Sequence, residues 1–508
     1  WSLREIVEQQ KISAYGTLRV ASSFREMILR NMYRKAMNAY EKGLEEPPFA
    51  FVLRPDQHDE LTAYKLLKIL MDVGVEISRS TREFVADGIS YPRGTYVIYA
   101  SQHCRPYLVS LLKRTFYHVG AFSKKPDGTP IVPYDLSTYT IAEFMGVRLH
   151  EVKKSFSGSF ENLSSIRYPR GGAPDKAPNG WLLDTVPNDT FKAVNRILRR
   201  DLKAHRLTEP VITEESRFDV GSFYIPRSKK LEKDLDKLAR RLHLRFYAAP
   251  EKVESKPVDM LRIGMYQRYW GGNADEGWTR WLLEQFRFRY RTLMDEDIKK
   301  GRLAKKYDVI IIPSDSKEMI LGKDVEKYYE DRWGKGFTMP NYPPKYRSGL
   351  GEEGVEKLKE FVEEGGTLIT FGDACNFAIE EIDLPVENVL KDVSQKDFVC
   401  PGSTLHVNVH EHELSQGIQE DLLIVFRHHP AFAVKPRVNN DDYKVVLSYP
   451  EKRIMESGWL NGEEHLSNKA ALVEAKKGKG RVILYGFQPQ MRAQTDATFK
   501  LFFNALLG

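Results

Sequence analysis

The sequence predicts a mixed α/β chain: two small repeated α/β subdomains, then a doubly wound domain, with a long helix leading in. Three observations carry that prediction. Gly351 to Ile382 reads as helix, turn, buried strand, sharp loop and helix. Tyr307 to Pro313, YDVIIIP, is the apolar run that a parallel strand covered on both faces requires. A strand pattern of aromatic, two variable positions, Gly, Thr or Ser, aromatic, one variable position and Ile occurs at Tyr91–Ile98 and again at Phe218–Ile225. Each copy follows a strand–helix–strand unit, and such internal repetition implies two related units. Strands alternating with helices imply right-handed crossovers. The expected segments are 1–46, 47–150, 151–255 and 256–508.

Taken in order, Ser2 and Glu5 form a capping box in which each side chain satisfies a free amide. Leu3, Ile6, Val7, Leu18, Phe24, Ile28 and Met32 keep near-helical spacing, so 2–43 reads as one long or broken helix ended by Gly43 and closed by Pro47-Pro48. The first copy has the strand Phe51-Val52-Leu53, a helix through Ala63, Leu67 and Leu70, and the strand Val75-Glu76-Ile77. The second has Trp181-Leu182-Leu183 and a helix through Ala193, Ile197 and Leu198. Between them, Ser123 to Asn179 is rich in Gly, Pro, Ser and Lys and reads as an insert. The last segment opens with the strand Leu261 to Tyr266, the loop Gln267 to Asn273, and a helix whose acidic start, Asp275-Glu276, suits its dipole. A long loop is expected from Ser314 to Gly349. Gly365-Gly366 stops the next helix, Thr367 to Phe371 is a strand, and a helix starts near Phe377.

The chain has 508 residues, 42% hydrophobic and 29% charged, which is ordinary for a globular protein. No apolar run approaches the roughly 20 residues of a membrane span. The net charge of +7, from 77 basic and 70 acidic side chains, is a mild bias that does not indicate nucleic acid. Runs such as Lys299-Lys300, Lys305-Lys306 and Arg199-Arg200 read as solvated faces. Cys104, Cys375 and Cys400 have neither disulfide-framework nor zinc-thiolate spacing. The opening Trp1-Ser2-Leu3, without methionine or signal peptide, raises the expectation that something precedes it.

Several segments resemble one known region. GWTRWLLEQF, YDVIIIP, GLGEEGVEKLKEFVEEGGTLI, FVCPGS, SGWLNGEEHL and GKGRVILYGFQPQMRAQT, with WSLREIVEQQ, PPFAFVLRPDQHD and YPRGTYVIYASQHCRPY before them, look like the part downstream of the catalytic domain in large bacterial zinc carboxypeptidase-like proteins, of the metallocarboxypeptidase family. Within it, 258–508 resembles a class I glutamine amidotransferase-like module with a flavodoxin-like fold. The resemblance implies a periplasmic or extracellular parent that trims C-terminal residues with one zinc ion. Its zinc domain would precede Trp1 and be this chain's partner. No catalytic motif of that domain matches here, so the implied role is an accessory scaffold without a cofactor of its own. A homo-oligomer stays open.

The alternatives rest on particular residues. Cys375, at a strand-to-helix turn, could be activated by a helix N-terminus. An amidotransferase-like hydrolase would then need a histidine and a carboxylate, and His465 with Glu464 falls where such a pair should. Against this, Ala374, Asn376 and Phe377 replace the glycines expected around the nucleophile. His410 and His412 could share a strand face and bind metal, with Glu413 completing HxxE, but no third ligand is recognisable. His428-His429 reads as a turn after a strand. Tyr269, Trp270 and Asn273 share the sheet's carboxyl edge with Asp373, where a small ligand could bind. Arg492 and Gln494 could cap that edge.

Overall fold

The computed structural model describes residues 1–270, 272–334, 336, 342–343, 346, 349–434 and 442–507. Gly271 and most of 335–348, part of the loops expected above, lie outside them. The chain is mixed α/β and divides into two compact units. The first comprises Trp1–Asp56, Leu67–Lys113 and Arg148–Ile166; the second comprises Gln57–Leu66, Arg114–Val147 and Arg167–Gly508.

In the first unit the predicted long helix is two helices, α1 (Leu3–Ser23) and α2 (Arg25–Glu45), broken at Phe24 with φ −115° and ψ 22°. The Ser2–Glu5 capping box forms, with a bond of 2.6 Å from the Ser2 amide to the Glu5 carboxylate. Gly43 does not end α2 as expected. A Cβ there would lie 2.3 Å from the Ala100 carbonyl oxygen, so close approach of backbone, not helix termination, requires glycine. No residue of α1 is buried, and in α2 only Ala39 and Gly43 are.

A five-stranded antiparallel sheet follows, ordered Leu149–Val152, Ala50–Leu53, Tyr96–Tyr99, Ser78–Ser80, Phe160–Asn162. The hairpin Phe84–Ala86 with Ile89–Tyr91 sits apart from it. The second unit holds another antiparallel sheet, ordered Tyr247–Ala248, Trp181–Leu183, Phe223–Ile225, His205–Leu207, Ser255–Pro257. It too has a separate hairpin, Val211–Ile212 with Arg217–Phe218.

The largest sheet lies wholly in the second unit. Its parallel part runs Tyr290–Leu293, Ile263–Tyr266, Val309–Ile312, Thr367–Phe371, Gly480–Tyr485, and Ala470–Lys477 then joins antiparallel. Alternate residues enter two separate cores. Val309, Ile311, Ile369 and Ile483 face one, and Ile310, Ile312, Leu368 and Val482 face the other. Burial on both faces is why YDVIIIP lacks polar alternation. The stretch read as a loop after Ser314 contains two helices, Lys317–Leu321 and Val325–Trp333. The helix expected near Phe377 starts earlier, at Ala374, which puts Cys375 inside its first turn. Among the described residues, no helix is long and apolar enough to cross a membrane.

Candidate functional site

The carboxyl ends of the parallel strands present four loops. After Ile263–Tyr266 comes Arg268, then Tyr269 and Trp270, then Asn273, whose side-chain oxygen caps the next helix by accepting from the amides of Asp275 (2.9 Å) and Glu276 (3.3 Å). The amide nitrogen of the Asn273 side chain donates to the Ser314 carbonyl at 3.1 Å, which ties this loop to the one after Val309–Ile312. Arg268 forms an ion pair with Asp315, both largely buried. Burial pushes the Asp315 carboxyl up in pKa, and Arg268 offsets part of that shift.

Asp275 is the centre of the arrangement. Its carboxylate accepts from the Ser314 amide (2.7 Å) and from the side-chain amides of Gln488 (3.0 Å) and Gln490 (2.9 Å), which follow the last parallel strand. Burial pushes its pKa up to about 7; the Ser314 amide and the nearby His429 pull the other way. The group therefore changes charge near neutrality.

The third loop turns at Gly372, with φ 50°. A Cβ at Gly372 would lie 2.6 Å from the Ser314 hydroxyl and 2.8 Å from the His429 ring, so only glycine fits. Asp373 follows; its amide donates to the Ser314 hydroxyl at 3.2 Å, and its half-exposed carboxylate faces His429 Nδ1 at 3.3 Å. His429 arrives after the strand Leu423–Arg427, which belongs to a different, three-stranded sheet. Its ring is buried, and its Nε2 has no hydrogen-bond partner among the described residues. The same holds for the side-chain oxygen of Gln490. The neighbouring His428 has φ 54°, and burial, then His429 and Arg427, push its pKa down to about 4.

The structure thus brings Asn273 and Asp373 together at one edge, around Ser314. Tyr269 and Trp270 flank them, their rings against Tyr346 (4.8 Å between centroids) and Tyr329 (5.5 Å). Arg492 does not cap this edge. It is bonded to Asp135, whose carboxyl it pulls down to about 2.

Cys375 differs from the activated thiol considered above. It is completely buried, its sulfur donates to the Tyr485 carbonyl at 3.2 Å, and it accepts from the Thr370 hydroxyl at 3.3 Å. Burial raises its pKa far above the ordinary thiol value, outweighing any help from the helix terminus. His465 and Glu464 lie in the short helix Glu463–His465, where the imidazole packs edge-on to Phe398. No histidine is among the bonding partners of Cys375.

His410 and His412 do not share a strand face, because the strand ends at Val409. His410 bonds to Ser448 at 2.8 Å, while the buried His412 accepts from the Leu414 amide and lies 3.9 Å from Glu474. Among the described residues no group of three or more His, Cys, Asp or Glu side chains could hold a metal ion.

Sequence reasoning missed Asp275, Ser314, Asp315, Arg268 and both glutamines as members of one cluster. Position after a parallel strand was the available signal for Ser314, Asp315 and Arg268. Nothing local could have brought in His429, because it lies in the turn between a strand of the three-stranded sheet and one of the largest sheet, far in sequence from Asp373.

No family model matches the chain, and no curated protein matches it. Among solved structures it is similar to a cytoplasmic protein of Salmonella typhimurium at 16% identity, covering 48% of this chain and 98% of that one, with a TM-score of 0.29. A ThuA-like protein from Bacteroides uniformis aligns at 14% identity over 48% of this chain and 88% of its own, TM-score 0.25. An exo-β-1,4-mannosidase from an Opitutaceae bacterium aligns at 10% identity over 48% of this chain and 36% of its own, TM-score 0.28.

Proposed function

We propose that this chain is a non-catalytic binding and scaffold module whose parallel-sheet carboxyl edge takes up a small polar ligand. The observation that carries this reading is the convergence of Asn273, Ser314, Asp373 and His429 from four chain segments onto one sheet edge. Charge suggests the ligand class. Arg268 and Asp315 pair with each other and Asp275 is engaged by three donors, which leaves the half-exposed Asp373 carboxylate available, so a molecule presenting N–H or O–H donors is favoured over an anion. Perturbed carboxyl groups in such a place support a functional edge.

Thermal-shift screening of small amines and polyhydroxylated compounds tests the reading. A compound that raises the melting temperature of the parent but not of Asp373→Asn supports it, and a screen that shifts nothing in the parent removes it. A thiol hydrolase has no observation in its favour, since Cys375 is sealed beneath the sheet edge.

On the resemblance of the quoted segments, we further propose that the parent is a periplasmic or extracellular zinc carboxypeptidase-like protein with its zinc domain upstream. A reading frame before Trp1 that encodes no such domain would remove this. In the same proposal, 256–508 is a flavodoxin-like, amidotransferase-like doubly wound domain, and 47–150 and 151–255 are copies of one unit. What supports the copies is their shared strand order, fourth–first–third–second–fifth, with a hairpin between the second and third strands of each.

A further inference from the structure

The opposite, amino end of the parallel strands forms a cleft of about 1060 Å³ in the second unit. Its apolar wall includes Leu261, Ile263, Phe288 and Tyr307. Its rim is basic: Arg199, Arg287, Arg289, Arg291, Lys305 and Lys306 come from three separate stretches of chain. All six are exposed, and none has a carboxylate within salt-bridge distance among the described residues. The remaining lining arginine, Arg262, is already neutralised by a two-pronged contact with Asp308 at 3.0 and 2.6 Å. The lining carboxylate Glu284 accepts from the Tyr290 hydroxyl at 2.7 Å. So runs that look in sequence like separate solvated faces converge on one concave surface.

An independent observation comes from Arg287. It has φ 66° immediately beyond the helix Ala274–Gln285 and its cap Phe286, where the Phe288 amide bonds back to Leu283 at 2.9 Å. This is the helix-ending position that glycine ordinarily fills, because a side chain there is strained. Arg287 is one of twelve described non-glycine residues with positive φ, and it is the one among them that lines the cleft, where the turn presents its guanidinium.

We propose that this cleft binds a compact anion carrying several phosphates. Four of the six free cations are arginines, whose planar forks match phosphate oxygens two at a time. Clustering of unpaired positive charge from three stretches of chain favours multivalent over single anions. Two of the three lining rings do not suit single-stranded nucleic acid, which needs exposed rings for stacking: Phe288 is 6% and Tyr307 9% exposed, while the half-buried Tyr290 is held through its hydroxyl by Glu284.

The test is calorimetric titration of the whole chain with inorganic tripolyphosphate, alongside a single-stranded oligonucleotide and polyglutamate. Tripolyphosphate is expected to bind, more weakly as salt rises, and Arg289→Ala with Arg291→Ala is expected to weaken it by about tenfold or more. Arg287→Gly separates binding from folding, since it relieves the backbone: its melting temperature is expected to hold or rise while affinity falls. Lys252→Ala, at an exposed residue outside the cleft lining, should bind as the parent does. Absence of binding, equal binding by the Arg289/Arg291 variant, or tighter binding of the oligonucleotide or polyglutamate through these residues would overturn the proposal.

Discussion

At the carboxyl ends of the parallel strands the charged side chains turn inward. Asp275, Asp315 and His429 are largely buried, and bonds among neighbouring loops engage both aspartates and one of the two ring nitrogens of His429. At the amino ends of the same strands, Arg287, Arg289 and Arg291 project to solvent without acidic partners. The difference shows what burial does to charge. Inside, it is converted into loop geometry and shifted titration; outside, it stays available as field for something else. Substitutions of the buried groups at the first edge should therefore be felt as stability, and those of the half-exposed Asp373 and of the arginines at the second edge as affinity.

The largest test of that contrast is Gly372→Ala. A methyl group there meets the Ser314 hydroxyl and the His429 ring well inside contact distance, on a backbone with φ 50°. A loss of about 2–4 kcal/mol in urea unfolding is expected. A variant that unfolds like the parent would mean that the carboxyl edge is loose.

Next comes pH. Because the folded pKa of Asp275 is raised to about 7, the folded chain holds this proton more tightly than the unfolded chain, whose carboxyl has an ordinary value. That contribution to stability is present at low pH and declines as pH rises from the ordinary carboxyl range through about 7. Asp275→Asn should flatten the decline in unfolding free energy between mildly acidic and mildly alkaline conditions. An unchanged slope would show that Asp275 titrates elsewhere.

The smallest effect is expected at the other edge. Arg289→Ala and Arg291→Ala should each change unfolding free energy by no more than about 0.5 kcal/mol, as exposed side chains without partners do. A larger loss would show that these arginines hold the fold and would blur the distinction between the edges.

How much of this was legible in the sequence depended on whether the signal was local. The Val309–Ile312 strand could be read because two apolar cores leave no polar alternation, and the Ser2–Glu5 cap because its two partners are three residues apart. The break at Phe24 carries neither glycine nor proline, so spacing left open whether the helix was long or broken and did not locate the break. Cys375 was read in the turn before a helix near Phe377; the helix starts at Ala374, only a turn earlier, and its first turn holds the sulfur in the core. The Asp275 cluster joins residues from distant segments and leaves no trace in any short window; the basic cleft shows half of its cations in Arg287–Arg291, but their meeting with Arg199, Lys305 and Lys306 is not local.

The anchoring of α2 has a mechanical side. Each of the two opening helices has 21 residues, a length of about 30 Å, and the buried positions of α2 are confined to its last two turns, at Ala39 and Gly43. Such a pivot acts as a lever: a tilt of about ten degrees at Gly43 carries the start of α2 sideways by about 5 Å, and α1 with it. Any bulkier residue at position 43 would reset that angle, so the reach of the whole amino-terminal arm is governed by one missing side chain.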